Sequence, residues 1–249
     1  MLGTQRKRLG LRACQLVGIA MAWTFVSPLP SVSAEAVGSP ASLLKKGKWA
    51  MGVNVGFLPE MKMKGNAKVT VYQVGHFRGY GLTDRLSVFG KLGGAYLEAD
   101  DPSVVTSDAL ATHRFGASFM VGLGLKGKIW ESADTGWEWD GLFNFLDLRA
   151  RHRGRNDAHW REWTLGTSVA KSMGRAKPYV GLKYSLTDMK FKVRQNGNLL
   201  QQGIYKPQHR VGMFVGTDVY LGEFEDWVLN VETNYLDGAE FDVALQYTF

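Results

Sequence analysis

The densest run of reactive side chains in the sequence is basic: Arg149, Arg151, His152, Arg153, Arg155, His159 and Arg161 crowd into residues 149–161. Guanidinium groups take phosphate oxygens in bidentate pairs, so this run offers recognition of a phosphorylated anion, against the simpler reading of a solvated basic loop. A second set is acidic. Glu98, Asp100 and Asp101 in one segment, and Asp157 with His159 in another, are the residue types from which carboxylate and imidazole hydrolysis could be assembled. No metal spacing, phosphate loop or nucleotide fingerprint is present, and His76, His113 and His209 stand apart from one another. The expectation is therefore no metal, no cofactor, no nucleic-acid partner and no enzymatic activity.

The elements that must position these groups are strands. Glycine contributes 30 of 249 residues and aromatics 12%, spread through alternating segments, which fits an all-β body. A mean hydropathy of -0.16 is what equal numbers of lipid-facing and lumen-facing residues give. There is no run of eighteen apolar residues, so no transmembrane helix is expected, and that says nothing against a membrane barrel. Residues 1–34 read as a cleaved signal peptide: Arg6, Lys7, Arg8 and Arg12, then an apolar core from Ala13 to Phe25, then Val32-Ser33-Ala34. Four of the 30 basic residues and none of the 23 acidic ones fall in that segment, so the net charge of the rest is +3, not +7. The sole cysteine, Cys14, falls there too, so no disulfide is expected. Residues 35–46 read as a short periplasmic lead, and 47–249 as one barrel.

Within 47–249 the apolar period is two. Trp49, Met51, Val53, Val55 and Phe57 alternate with Ala50, Gly52, Asn54 and Gly56, and Phe115 to Ile129 alternate with Arg114, Gly116, Ser118, Gly122, Gly124, Lys126 and Lys128. The count is ten antiparallel strands in an up-and-down transmembrane β-barrel, with eight or twelve as the alternatives. Pro59 to Asn66, Glu98 to Thr112, Ala150 to Ala158 and Phe191 to Lys206 read as the longer connections, the last turning at Asn196-Gly197. In such a barrel Arg114, Lys126, Lys128, Glu162, Arg210, Asp218, Glu232 and Asp242 should face a polar lumen and pair across it, and the arginine run should lie in an external loop. The inward glycines suit a crowded lumen and a strongly curved sheet.

The final nine residues carry a resemblance. Phe241, Val243, Leu245, Tyr247 and Phe249 alternate with small or polar residues, and the sequence stops on Phe249. This resembles the closing strand of small bacterial outer-membrane β-barrel proteins, as Tyr80-Gly-Leu-Thr-Asp-Arg-Leu-Ser-Val88 resembles their short periplasmic turns. The resemblance implies outer-membrane residence, periplasmic chaperones and the barrel assembly machinery reading the terminal strand, contact with outer-membrane lipid and lipopolysaccharide, and a monomer. At the external rim of such a barrel Arg149, Arg151, Arg153, Arg155 and Arg161 would stand where lipopolysaccharide phosphates lie, and the role read for the chain is structural or surface-binding, without catalysis. A narrow channel for small solutes is the alternative reading, and an omptin-like rim protease a more distant one. A lipid-A deacylase would need His and Ser paired on the lipid face, and no such pair stands out.

Overall fold

In a computed structural model the described residues are 43–100, 112–152, 156–195, 198–222, 226–235 and 239–249. The expected signal peptide, residues 1–34, the Asn196-Gly197 turn and most of the lead lie outside them. The strands are β1 (Trp49–Lys62), β2 (Lys68–Thr83), β3 (Leu86–Asp100), β4 (Thr112–Ser132), β5 (Trp137–His152), β6 (Asn156–Lys171), β7 (Ala176–Gln195), β8 (Asn198–Tyr205), β9 (Val211–Leu221), β10 (Trp227–Tyr235) and β11 (Ala239–Thr248). All pairings are antiparallel and the sheet closes on itself. β7 is long enough for two partners: its first half, Ala176 to Tyr184, pairs with β9, and its second, Met189 to Gln195, with β8. The wall therefore has ten strand positions. The ring of β1 to β7 and β9 to β11 closes the lower wall without an unpaired edge, which a sheet in hydrocarbon requires. At the seam Trp49 and Phe249 exchange both backbone hydrogen bonds, 3.0 and 2.9 Å.

The end with the tight turns near 84, 134 and 174 is the periplasmic one by the usual asymmetry of such barrels. From that end upward the outer wall is apolar: Val53, Val55, Leu92, Phe119, Leu123, Leu165, Leu182, Val211 and Met213 are all more than half exposed. Pairs of aromatics mark its lower edge, Trp49 on Tyr80 and Trp227 on Tyr247. Phe145 against Trp163 marks the upper edge on the opposite wall.

Above that edge the two faces exchange polarity. Along β5 the outward residues run Trp137, Trp139, Phe143, Phe145 and then Asp147, Arg149, Arg151, while the inward ones run Glu138, Asp140, Leu142, Asn144, polar but for Leu142, and then Leu146, Leu148, Ala150. β7 repeats the switch: Lys177, Lys183, Ser185 and Thr187 face inward below, Met189, Phe191 and Val193 above, and Asp188, Lys190 and Lys192 take the outside. The 20 residues of β7, at about 3.3 Å each and a tilt of about 40°, rise about 50 Å, twice the apolar band of about 25 Å that a membrane barrel needs. The molecule is thus a transmembrane barrel, apolar outside and polar inside, continued upward by a barrel of the soluble kind.

This corrects two expectations. The lumen is not polar throughout: Leu58, Met61, Met63, Leu97, Phe115, Leu148, Trp160 and Met189 belong to one buried apolar cluster filling its external part. The basic connection expected over 150–158 is also shorter than that: 150–152 belong to β5 and 156–158 to β6, which pair to His152 and Asn156, and 153–155 lie outside the described residues. No residue of β10 or β11 joins the external cluster among the described residues. The upper barrel closes instead by a strap, Met63 bridging Pro207, with Lys64 N–H donating to the Lys206 carbonyl at 2.8 Å.

Inward glycines have a specific use. Phe77 faces Gly52, Phe89 faces Gly124, Tyr179 faces Gly216, Phe214 faces Gly181 and Phe191 faces Gly203, each pair in direct register on neighbouring strands. In every case a Cβ on the glycine would run into the aromatic ring. The ring lies flat over the glycine, which fills a lumen too narrow for two full side chains side by side. Gly116 serves differently: its positive φ of 74° accommodates the bulge where β4 slips against β3.

Candidate functional site

The outer wall of the upper barrel carries the candidate site. Strand pairing lines up outward residues in rows across β5, β6, β7 and β8. Phe145, Trp163 and Leu186 form the last apolar row, then come Asp147, Arg161 and Asp188, then Arg149, His159, Lys190 and Ile204, then Arg151, Asp157, Lys192 and Gln202. The upper two rows border an open cleft of about 810 Å³, floored by the backbone of Ala150, Ala158, Phe191 and Gly203.

Asp147 organises the lower part of this surface. His159 Nε2 lies 2.7 Å from its Oδ2, Arg149 Nε donates to its Oδ1 at 3.0 Å, and Arg161 Nε stands 3.7 Å away. Partial burial pushes the Asp147 carboxyl up, but the hydrogen bonds from His159 and Arg149 outweigh it and hold the group below its ordinary value. Arg151 Nε donates to Asp157 Oδ1 at 3.3 Å. These arginine side chains are 73% and 85% exposed, so the ion pairs add little stability, and their effect is to fix where the guanidinium groups stand.

Of the residues expected to bind an anion, Arg149, Arg151 and Arg161 stand on this one wall. Arg153 and Arg155 lie outside the described residues. Lys190 and Lys192, which complete the cleft from β7, were not foreseen. Their signal was present in the sequence, since Asp188, Lys190, Lys192 and Arg194 alternate with Met189, Phe191 and Val193. Among the described residues, Glu98 and Asp100 are on β3, with β4 and β5 between them and Asp157 and His159 on β6, and Asp101 lies outside the described residues.

The lower lumen holds the other charged set. Lys126, Glu162, Asp218, Glu232 and Asp242 are all buried there, and Lys128 stands at the periplasmic mouth, 3.3 Å from Glu138. Arg210 is a correction. It is exposed on the outer wall and donates to the Tyr184 hydroxyl at 3.3 Å, because 206–210 cross from β8 to β9 outside the regular alternation. The Arg114 side chain lies outside the described residues.

The interior charges are cross-linked. Lys177 Nζ donates to Glu138 at 2.7 Å, the Tyr179 hydroxyl to Glu232 at 2.7 Å, and Asn230 to both Tyr179 and Asp218 at 2.8 and 2.7 Å. Trp160 and Thr164 each donate to Glu162 at 3.2 Å, which ties this buried carboxyl to the apolar cluster through Trp160. Phe241, Val243, Leu245, Tyr247 and Phe249 all lie on the outer face of the closing strand or just past its end, and Phe241, Val243, Leu245 and Tyr247 pair with Phe57, Val55, Val53 and Met51 of β1.

No curated protein matches the sequence. Among solved structures, the outer membrane protease OmpT of Escherichia coli aligns at 8% identity over 86% of this chain and 100% of its own, with a TM-score of 0.42. OprG of Pseudomonas aeruginosa aligns at 12% identity over 83% and 98%, TM-score 0.39, and Ail of Yersinia pestis at 11% over 82% and 100%, TM-score 0.38. The sequence itself matches the OmpA-like transmembrane domain across residues 47–174, just over half of the chain, from the start of β1 to the turn after β6. With its closed ten-position wall, apolar band and polar lower lumen, the chain belongs to the OmpA-like transmembrane-domain family of outer-membrane β-barrels.

Proposed function

We propose that the protein is a non-enzymatic outer-membrane barrel, closed to solutes, that serves the envelope structurally and presents its upper barrel as a rigid surface. The observation that supports this reading is the content of the lumen. A solute entering from the periplasmic side meets Glu138, Lys177, Tyr179, Asp218, Asn230 and Glu232 already bonded to one another. Above them stands an apolar layer in which Phe115, Met120, Trp160 and Met189 are each at most 1% exposed. An apolar constriction excludes water and ions by dewetting even where a gap of molecular width remains.

The test is solute uptake. Vesicles carrying the refolded barrel should swell in isotonic arabinose no faster than protein-free vesicles. Uptake rising with protein content would overturn the closed reading in favour of a narrow channel.

A further inference from the structure

We infer that the outward cleft on β5 to β8 binds the phosphate groups of outer-leaflet lipopolysaccharide. This inference does not depend on whether the lumen conducts.

Height is the first argument. Rows of outward residues are two residues apart, about 6.8 Å along a strand and about 5 Å vertically at a tilt of about 40°. The Arg149 row therefore stands about 10 Å above the last apolar row at Trp163, and the Arg151 row about 15 Å above it. An outward side chain at that height faces sideways into the headgroup layer, where the neighbouring molecule is a lipid.

Charge is the second. Arg149, Arg151, Lys190 and Lys192 border the cleft against the single carboxylate Asp157. Neither Lys190 nor Lys192 has an ion-pair partner among the described residues. The arginines meet their aspartates through Nε, so the terminal nitrogens of each fork are open to a phosphate. Arg149 and Arg151 on β5 and Lys190 and Lys192 on β7 stand on either side of β6, which suits an anion with more than one phosphate.

The third argument is continuity. Two rows below the lower cations, past the row of Asp147, Arg161 and Asp188, lie Trp163 and Leu186, 45% and 44% exposed, so a ligand with phosphates above and acyl chains below meets cations at the upper level and apolar side chains at the lower one. An acidic polypeptide would match only the upper half.

The experiment uses the whole barrel refolded in neutral detergent and measures binding of lipopolysaccharide. Its controls are the same material after phosphatase treatment, phosphatidylglycerol vesicles, inorganic phosphate and polyglutamate. The expected result is affinity for intact lipopolysaccharide about tenfold or more above that for the dephosphorylated form, falling as salt rises. The combined variant Arg149→Gln, Arg151→Gln, Lys190→Gln, Lys192→Gln should lose that difference while keeping the heat-modifiable gel shift of a folded barrel. Equal affinity for the dephosphorylated form, or an unchanged difference in the folded variant, would overturn the inference. Equal binding of phosphatidylglycerol or polyglutamate, or full competition by millimolar inorganic phosphate, would overturn the assignment to this lipid. If the variant does not fold, the phosphatase and salt comparisons on the unmodified barrel decide alone.

Discussion

Replacing Gly124 by alanine probes the packing of the lumen more sharply than any charge change. Gly124 faces the lumen on β4, directly opposite Phe89 on β3, and its missing Cβ is the space the Phe89 ring fills. An added methyl would fall inside contact distance of two ring carbons and of Asn144 Oδ1. Phe89 is 5% exposed, so the ring cannot swing into solvent, and overpacking of this kind costs about 1–3 kcal/mol. The neighbouring residue provides a matched control. Gly90 faces lipid, and the nearest heavy atom to its added Cβ is Leu123 Cδ2 at 3.9 Å. Gly90→Ala should therefore be neutral or stabilise by about 0.5 kcal/mol, through the lost freedom of the unfolded chain. Phe89→Ala alone should cost about 3–5 kcal/mol by leaving a cavity. In the double variant the new methyl occupies part of that cavity, so the total should fall short of the sum by about 1 kcal/mol or more. Reversible urea unfolding in phosphocholine vesicles, followed by tryptophan fluorescence, measures all four. Equal costs for Gly124→Ala and Gly90→Ala, or strict additivity in the double variant, would refute the ring-over-glycine account.

Three further outcomes follow from particular contacts. Tyr179→Phe removes a hydroxyl that donates to Glu232 and accepts from Asn230, so it should cost about 1–3 kcal/mol in the same unfolding assay; a neutral result would mean that water replaces the hydroxyl. Asp147 is held below its ordinary carboxyl value in the folded state, so its contribution to stability is full above the unfolded value near about pH 4 and is lost as pH falls through the lower folded value. The stability gap between the parent and Asp147→Asn should accordingly close as the pH falls through acid, read as the difference between their urea midpoints. Deleting Phe249 removes both backbone bonds to Trp49 at the seam, and outer-membrane levels of that variant should fall far more than those of the four-glutamine cleft variant. Normal levels would count heavily against the Trp49–Phe249 seam as a requirement for stable closure.

Much of the wall was legible because lipid imposes one rule on every strand, apolar outside and alternate. Val211, Met213 and Val215 on β9, or Val180 and Leu182 on β7, could only face outward. The external barrel was not legible by that rule, because water imposes the opposite one. Where Phe145 gives way to Asp147 the alternation continues without a break but changes phase, and reading for apolar-outward residues alone turns strand into loop there. The arginine run was recognised for its chemistry and misplaced for the same reason. Gly124 reads as lumen space and Gly203 as part of a long connection, yet their role is set by Phe89 and Phe191 on neighbouring strands, a relation that only register discloses. Arg210 was assigned to the lumen by parity with Gly212, which fails because 206–210 leave the ladder between β8 and β9.

The central claim is that this barrel is sealed by an apolar layer lying above a self-bonded polar one, and single-channel recording in planar bilayers tests it most directly. The account predicts a silent membrane after insertion of the refolded barrel, with steps appearing only when Trp160 and Met120 are cut back together to alanine. Stable, uniform conductance steps from the unmodified protein would contradict it.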